Sequence, residues 1–189
     1  MIDTNWLIEV RWHGRGGQGA VTSAELVAKA AISEGKYAQA FPSFGPERRG
    51  APVLAFDRIS SQEPIKIRSE VTEPDVVVVL DPGLLHIVNI TSGLKEKGVL
   101  IINTQRTLQD IEAEFGAKKR LAIVDATKIA RELLGVPIVN TTMLGTLLRV
   151  TGVVELESLT EPLRQRFDRL AERNINAMKR AFEETVVKE

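Results

Sequence analysis

Cysteine is absent from this chain of 189 residues, and that absence removes several kinds of chemistry at once. Disulfide bridges, zinc sites built on thiolates, iron-sulfur clusters held by the chain itself and cysteine nucleophiles are all excluded. Histidine is scarce as well, because only His13 and His86 occur and they lie far apart in the sequence. Neither stands in an H-x-x-x-H or H-E-x-x-H frame, so we expect no metal site in this chain.

Net charge and long apolar runs are also lacking. The 25 basic and 25 acidic residues cancel, and no run of lysine and arginine with interleaved aromatic residues marks a nucleic-acid binder. The apolar stretches have the length of strands, and residues 1–5 lack the basic start and apolar core of a signal peptide. We therefore expect a cytoplasmic protein with neither nucleic acid nor membrane as a partner. Because no G-x-S-x-G sequence is present, we assign no catalytic residue.

The chain does contain a glycine-rich stretch near its N-terminus, His13 to Gly19. The preceding residues, Leu7 to Trp12, alternate as a strand does, and Ala20 to Ser33 carry apolar residues at helical spacing. A strand, a glycine loop and a helix in this order form a corner whose free N–H groups can hold an anion. The candidate cofactor-binding residues, contacting an anion or a partner, are Gly14, Arg15, Gly16, Gly17, Gln18 and Gly19. The alternative is a tight turn that binds nothing.

Three of these glycines match the G-x-G-x-x-G spacing of dinucleotide-binding loops. That motif also requires an acidic residue about 20 residues later, at the end of the second strand, to hold the ribose. Here the expected second strand, Tyr37 to Ala40, runs into Phe41-Pro42-Ser43, so the acid is missing. The P-loop pattern fails too, because Ala20 and Val21 stand where lysine and serine or threonine are needed. A free-standing dinucleotide-dependent oxidoreductase stays open as an alternative function.

Residues 41–52 contain three prolines and two glycines, which predict a shaped surface loop rather than a helix. Two adjacent arginines in it can hold a carboxylate or phosphate bidentately, and two phenylalanines can anchor a partner surface. The interface or ligand-facing residues expected here are Phe41, Phe44, Glu47, Arg48 and Arg49. The alternative is a loop packed on its own domain with solvated arginines.

Farther along the chain, strand and helix patterns alternate. Three apolar runs are typical of buried parallel strands, each followed by a helical segment: Val76–Leu80, Val99–Asn103 and Leu121–Asp125. Asp81 and Asp125 are most simply N-caps of the next helices. For Asp81 the alternative is a catalytic carboxylate, because sites gather at strand ends in α/β folds.

Residues 140–149 are apolar enough to form a buried helix, and Gly145 within it indicates close packing against a neighbouring element. Asn140 and Thr141 at its start can cap this helix or contact a ligand, and we favour the cap.

Two further segments complete the fold prediction. Val53–Phe56 and Ile65–Ile67 are predicted to form a hairpin-like pair that adds antiparallel character to the sheet. Thr160 to Lys188 is predicted as one long terminal helix, with Thr160 as its N-cap. The sequence therefore predicts one α/β domain over residues 1–189, a three-layer α/β/α Rossmann-like arrangement around a mostly parallel sheet.

With the elements placed, three groups of residues form a specific combination. They are Gly14-Arg15-Gly16-Gly17-Gln18-Gly19-Ala20-Val21-Thr22, Tyr37-Ala38-Gln39-Ala40-Phe41-Pro42 with Gly45-Pro46-Glu47-Arg48-Arg49-Gly50-Ala51-Pro52, and Asn140-Thr141-Thr142-Met143-Leu144-Gly145. In this combination the chain resembles the gamma subunit of the 2-oxoacid:ferredoxin oxidoreductases, the thiamine-dependent enzymes exemplified by pyruvate synthase. The form of residues 37–40 is more similar to the pyruvate and branched-chain members than to the 2-oxoglutarate members.

The resemblance implies a subunit that does no redox chemistry alone. In that family thiamine diphosphate, magnesium and iron-sulfur clusters belong to other subunits, so the resemblance implies that this chain itself holds no cofactor. The implied partners are alpha, beta and delta-type subunits, with ferredoxin as acceptor. The complex would convert pyruvate to an acyl-CoA, or alternatively 2-oxoisovalerate or 2-oxoglutarate. The residues of this chain that would face the interface or the CoA are those of the 41–49 loop together with Asn140 and Thr141. The alternative within this family is a pure scaffold whose glycine loop binds nothing.

Overall fold

The computed structural model describes residues 6–43, 50–116 and 120–188. The strands are β1 (Leu7–Arg15), β2 (Tyr37–Pro42), β3 (Pro52–Ser60), β4 (Val76–Val79), β5 (Val99–Asn103), β6 (Arg120–Val124) and β7 (Val186–Lys188). The α-helices are α1 (Ala20–Ser33), α2 (Leu108–Phe115), α3 (Ala126–Leu134), α4 (Asn140–Thr151), α5 (Thr160–Phe167) and α6 (Ala171–Glu184). Short 3₁₀ segments occupy Pro82–His86, Glu157–Leu159 and Asp168–Leu170.

Within the described residues, the strands form one mixed sheet in the order β2-β3-β1-β4-β5-β6-β7. The central strands β1, β4, β5 and β6 are parallel to one another. Strand β3 is antiparallel to both β1 and β2, and β7 is antiparallel to β6. Strands β4 and β5 consist of valine, leucine and isoleucine apart from Asn103 at the end of β5, and they are buried throughout, as parallel strands between helical layers are. The α/β prediction is confirmed, and the antiparallel strands lie at the two edges of the sheet.

Apolar side chains cover both faces of the sheet. One face, which includes Trp12 and Val78, packs against α1, α3, α4 and α6. The opposite face, which includes Val77 and Leu100, packs against α2 and the 3₁₀ segment after β4. No helix in the described part of the chain is long and apolar enough to cross a membrane.

Helices α4 and α6 approach each other at Gly145, as the sequence predicts. A Cβ added to Gly145 would overlap the carbonyl oxygen of Met178 and would lie 2.9 Å from the backbone nitrogen of Phe182. Glycine is therefore the residue that lets these two helix backbones come together on one face of the sheet.

The predicted hairpin is wrong. Residues 53–56 belong to β3, which continues to Ser60 and pairs with β1 on one side and β2 on the other. Ile65–Ile67 forms no strand. The sequence predicts the end of the strand after Phe56 because the next residues, Asp57 and Arg58, are charged.

Long-range partners explain why Asp57 and Arg58 are nevertheless buried in β3. Nε1 of Trp12 donates to Oδ2 of Asp57 at 2.7 Å. Nε of Arg58 donates to Oε1 of Glu9 at 2.8 Å, and its guanidinium carbon lies 5.3 Å from the centre of the Phe41 ring. Polar groups can be buried when they are hydrogen-bonded or paired, and these partners come from other strands.

The predicted terminal helix is interrupted. Helix α5 ends at Phe167, Asp168 has a positive φ of 45°, and a 3₁₀ turn leads into α6. Thr160 is not the N-cap, because the cap position is Leu159 and no side chain caps α5. The last described residues form β7 at the sheet edge instead of a final helical turn. The apolar periodicity continues across the break because both helices bury residues in the same cluster, including Leu163 and Ile175.

Candidate functional site

The glycine corner, residues 14–19, lies where β1 leads into α1. Strand β1 is longer than the sequence predicts, because Gly14 and Arg15 still pair with β3. The turn after it contains Gly17 with φ of 93° and Gly19 with φ of 83°, conformations that L side chains rarely adopt. Glycine is therefore the residue best suited to these two positions.

Helix α1 starts in this corner without a side-chain cap. In the part of the chain that the structure describes, the backbone N–H groups of Ala20, Val21 and Thr22 have no acceptor. These residues line a cavity of about 330 Å³ together with Arg15 and Val53. Unpaired N–H groups at a helix start carry partial positive charge, so the cavity suits an anion.

Arg15, Gln18 and Asp81 connect the corner to the end of β4. Nε of Arg15 and Nε2 of Gln18 each donate to Oδ2 of Asp81 at 2.9 Å. The amide oxygen of Gln18 accepts from the backbone nitrogen of Arg15 at 2.7 Å. The other oxygen of Asp81 accepts from the backbone nitrogen of Gly83 at 2.8 Å, so Asp81 caps the 3₁₀ segment as the sequence predicts. Asp125 likewise caps α3 by accepting from the backbone nitrogen of Lys128.

The environment of Asp81 argues against the catalytic alternative. Partial burial alone would raise its pKa, but hydrogen bonds from Gln18, Gly83 and Arg15 outweigh burial and lower the pKa below the usual range. A carboxylate that is ionised and engaged through both oxygens is poorly suited to transfer protons near neutral pH. Asp81 also compensates the charge of Arg15, so the anion-binding capacity of the corner comes mainly from the start of α1.

Only some of the residues predicted to face an interface lie within the described part of the chain. Phe44, Glu47, Arg48 and Arg49 lie outside the described residues. Phe41 belongs to β2 rather than to a loop, and its ring centre lies 5.3 Å from that of Phe56. The prediction of a loop beginning at residue 41 is therefore wrong, because Phe41 and Pro42 still pair with β3.

A hydrogen-bonded link that sequence reasoning did not find joins the corner to the far end of this predicted loop. The backbone nitrogen of Gly16 donates to the carbonyl of Ala51 at 2.9 Å, and that of Gly50 donates to the carbonyl of Gly16 at 3.2 Å. Nη1 of Arg15 donates to the carbonyl of Gly50 at 3.1 Å. Gly50, which follows Arg49 in the sequence, therefore lies against the glycine corner.

Asn140 and Thr141 occupy different surroundings at the start of α4. A Cβ on Gly19 would lie 2.6 Å from Nδ2 of Asn140, so the Asn140 side chain borders the glycine corner. The hydroxyl of Thr141 is buried and donates to Oδ1 of Asn174 on α6 at 2.7 Å. The favoured cap is wrong, because the cap position of α4 is Val139 and no side chain caps this helix. A role for either residue toward a ligand or an interface stays a prediction.

The order of the strands differs from that of a dinucleotide-binding sheet. The neighbours of β1 are the antiparallel β3 and the parallel β4, whereas β2 lies at the sheet edge. Strand β2 also ends at Pro42 without an acidic residue. In a dinucleotide site, the acid that binds the ribose lies at the end of a parallel strand beside the first strand. In the described sheet, the antiparallel β3 occupies that position instead.

Comparison with known proteins places the chain in a family. Residues 9–184 match the profile of the family described as pyruvate ferredoxin/flavodoxin oxidoreductase. The pyruvate/ketoisovalerate oxidoreductases common subunit gamma of Thermococcus litoralis is 54% identical over 185 residues, which cover 97% of this chain and 100% of that protein. Pyruvate synthase subunit PorC of Methanothermobacter marburgensis is 52% identical over 178 residues, 94% of this chain and 97% of that protein.

A solved structure agrees with these sequence matches. The crystal structure of pyruvate oxidoreductase subunit PORC from Thermotoga maritima has a TM-score of 0.87 and 40% identity, and covers 98% of this chain and 100% of that one. The fold, the sequence identity and the length of the aligned region therefore support the same family assignment. This chain belongs to the pyruvate ferredoxin/flavodoxin oxidoreductase family, as a gamma subunit of a 2-oxoacid:ferredoxin oxidoreductase.

Proposed function

We propose that this chain is the non-catalytic subunit of a complex that oxidatively decarboxylates pyruvate to an acyl-CoA and passes the electrons to ferredoxin. The observation that carries the proposal is the match to gamma subunits of pyruvate oxidoreductases over nearly the whole chain. The absence of cysteine and of a G-x-S-x-G sequence, and the engagement of both oxygens of Asp81 at the glycine corner, are consistent with a role in assembly.

The donor groups of this chain do not fit the cofactors of such a complex. Iron-sulfur clusters are held by thiolates, and the sequence contains no cysteine. Among the described residues, no group of three or more histidine, aspartate and glutamate side chains gathers as a metal site. We therefore assign thiamine diphosphate, magnesium and the clusters to partners of the alpha, beta and delta types.

We infer that the glycine corner faces either the phosphates of CoA or an acidic group of a partner subunit. The support is local: free N–H groups at the start of α1, the guanidinium of Arg15 and a cavity of about 330 Å³ between them. Gly50 lies at this corner, so the adjacent Arg48 and Arg49 are proposed to contribute to the same contact. Phe41, Phe44, Glu47, Asn140 and Thr141 are kept as proposed members of this interface.

We place the choice of 2-oxoacid outside this chain. The relative from Thermococcus litoralis is named as a subunit common to pyruvate and ketoisovalerate oxidoreductases, so one gamma subunit there serves two substrates. Pyruvate is the first candidate here because each of the reported relatives carries it in its name, with 2-oxoisovalerate and 2-oxoglutarate as alternatives. The cytoplasmic location stays a prediction.

The test is to compare this chain purified alone with the complex obtained by co-expressing it with its alpha, beta and delta-type partners. We expect the complex to reduce ferredoxin with pyruvate and CoA, and the single chain to show no turnover. The control is a preparation of the partners without this chain, which should be less active or should not assemble. Turnover by the single chain, or reduction of NAD in place of ferredoxin by the complex, would contradict the proposal.

A further inference from the structure

A second cavity lies against the face of the sheet that α1 does not cover. Its volume is about 430 Å³. Because side chains alternate along a strand, Arg11 and His13 of β1 point to the face opposite Trp12, and both line this cavity. Half of the described lining residues are apolar, among them Leu54 from β3 and Leu84 and Val88 from the segment after β4, and the polar half includes Ser43, Asn89 and Ser92.

The guanidinium of Arg11 is buried without a carboxylate partner. The residue is 7% exposed, its Nε donates to Nε2 of His13 at 3.0 Å, and its Nη2 donates to the carbonyls of Ile90 at 3.0 Å and Ser92 at 2.6 Å. Within residues 6–43, 50–116 and 120–188, Arg11 forms no ion pair and its Nη1 donates no hydrogen bond. Burial lowers the pKa of Arg11, yet a guanidinium keeps its proton at neutral pH.

His13 supplies a second donor beside this cation. It is 5% exposed, and because its Nε2 accepts from Arg11, the proton of the neutral ring is assigned to Nδ1. Burial, helped by the charge of Arg11, lowers the pKa of His13 to about 3, so the ring is neutral at pH 7. Nδ1 has no partner among the described residues, and neither it nor Nη1 of Arg11 is fully enclosed, so both can reach a ligand in the cavity.

The charge in the cavity indicates the kind of ligand. Arg11 is the one cation among the described residues that line the cavity, so it compensates one negative charge there, and a doubly charged phosphate would keep a charge uncompensated beside the apolar part of the wall, which is costly. Ser43, which also lines the cavity, donates to the carboxylate of Glu70 at 2.6 Å, so its hydroxyl proton is already engaged. A carboxylate carries one charge and accepts from two donors, and an aliphatic chain attached to it suits the walls.

We propose that this cavity binds a small organic monocarboxylate, whose oxygens accept from Nη1 of Arg11 and Nδ1 of His13 and whose aliphatic part packs on Leu54, Leu84 and Val88. A purely structural role for Arg11, holding the segment at Ile90 and Ser92, uses Nε and Nη2 and leaves both proposed donors idle. The proposal is independent of the function proposed for the glycine corner, because none of its donors belongs to that corner.

The test uses the full chain and hexanoate as the probe, with long-range ¹H–¹⁵N NMR of the histidine rings as the readout. The chain has only two histidines, so a His86→Gln variant assigns the spectrum, and the exposed His86 serves as the internal control. We expect hexanoate to shift the ring nitrogens of His13 and to leave those of His86 unchanged. Hexanamide, which has the same chain without the charge, and inorganic phosphate in its dianionic form at alkaline pH should leave His13 unchanged.

Two substitutions separate the cation from general effects. Arg11→Met keeps an unbranched apolar stem but removes the guanidinium, and it should weaken hexanoate binding by about tenfold or more, the loss expected for a charge-assisted hydrogen bond. Arg106→Met, at a half-exposed arginine paired with Glu114, should leave binding unchanged. If Arg11→Met does not fold, the comparison of hexanoate with hexanamide in the unmodified chain decides. An unshifted His13, equal binding of hexanamide, or preferred binding of phosphate would overturn the proposal.

Discussion

Asp57 lies in the middle of β3 and is completely buried. One of its oxygens accepts from Trp12 and the other has no hydrogen-bond partner. Burial raises the pKa of this carboxyl well above its usual value, and the single hydrogen bond from Trp12 offsets this only in part. The folded chain therefore holds a proton on Asp57 at pH values where the unfolded chain has lost it.

This difference predicts how stability changes with pH. Below about pH 3.9, the pKa of an unfolded aspartate, both states are protonated and Asp57 costs nothing in ionisation. As the pH rises above that value, the folded state loses stability relative to the unfolded one, by up to about 1.4 kcal/mol per pH unit, until Asp57 ionises in the fold. Asp57→Asn keeps an acceptor for Trp12 and removes the titration. We expect it to be increasingly more stable than the unmodified chain as the pH rises from 4 to 7 (about the range in which an unfolded aspartate is ionised), measured by urea unfolding.

Asp81→Asn is the matched control, because its sign is opposite. The pKa of Asp81 is lowered in the fold, so its ionised form stabilises the chain above the pKa of the unfolded residue, and that contribution is lost as the pH falls. Asp81→Asn should therefore become less stable relative to the unmodified chain as the pH rises. Parallel pH profiles for both variants would contradict the assignment of a protonated Asp57.

At the scale of elements, the contact between α4 and α6 depends on Gly145. Replacing glycine by alanine inside an exposed helix normally stabilises it by about 1 kcal/mol. At Gly145 the new Cβ would meet the Met178 carbonyl, so the helices must move apart or shift. We expect Gly145→Ala to destabilise the chain by about 3 kcal/mol, because overpacking exceeds the gain in helix propensity. Thermal and urea unfolding measure the change.

Gly152, just beyond the end of the same helix, provides the comparison. It has a positive φ of 59°, but a Cβ there would meet no atom within 4 Å. Gly152→Ala should therefore cost about 1–2 kcal/mol from backbone strain alone. A smaller loss for Gly145→Ala than for Gly152→Ala would show that α4 and α6 can separate without cost.

The elements that the sequence predicts correctly are those whose pattern is local. Strands β4, β5 and β6 are runs of apolar residues buried on both faces, and Asp81 and Asp125 cap the next helical turns because a cap needs only the adjacent residues. The sequence predicts β3 too short because the partners of Asp57 and Arg58 lie 45 and 49 residues away. A local pattern contains no information about such partners. The break between α5 and α6 at Asp168 could not be predicted for a related reason. Apolar periodicity indicates which face of a helix is buried, but it does not indicate whether the helix is continuous.

The candidate site could be predicted only in outline. The glycine spacing correctly locates the corner and the start of α1. The hydrogen bonds of Gly16 with Gly50 and Ala51 depend on strand β3 lying beside β1. The sequence predicts a hairpin of residues 53–56 with 65–67 instead, so it does not predict these hydrogen bonds. Side chains alternate between the two faces of a strand, so the sequence predicts that Arg11 and His13 lie on the same face of β1 once that strand is assigned. The cavity beside them is lined partly by the segment after β4, and no local sequence pattern predicts where that segment lies.

At the scale of the whole molecule, the fold concentrates the start of α1, the end of β4 and the beginning of β3 at one corner. The resemblance to gamma subunits of 2-oxoacid:ferredoxin oxidoreductases is confirmed by sequence and structure comparison. The extent of the domain, residues 1–189, stays a prediction. In the function proposed above, this subunit holds no redox group and contributes to the enzyme through its surface, so the residues that flank this corner should affect the assembled complex more than the chain alone.

Arg48 and Arg49 test this directly. The sequence predicts that Arg48 and Arg49 lie in a surface loop, and substitutions at solvated surface positions usually change stability by no more than about 0.5 kcal/mol. Arg48→Ala with Arg49→Ala is therefore expected to leave the isolated chain nearly unchanged. In the complex, contact with a partner predicts weaker assembly, measured by analytical ultracentrifugation. Contact with CoA predicts intact assembly and a raised apparent KM for CoA. Lysine at both positions keeps the charge but loses the planar fork, so it should restore function only where simple attraction is enough.

Salt and a second pair of arginines distinguish these outcomes from a general loss of charge. A raised KM that arises from phosphate attraction should become smaller relative to the unmodified complex at high ionic strength, because salt screens that attraction. Alanine at Arg131 and Arg173, exposed arginines on α3 and α6, removes the same charge elsewhere and should change neither assembly nor KM. If alanine at 48 and 49 behaves like this control, the two arginines are solvated. The contact with partner or CoA must then involve the start of α1 and Arg15, where the unpaired N–H groups lie.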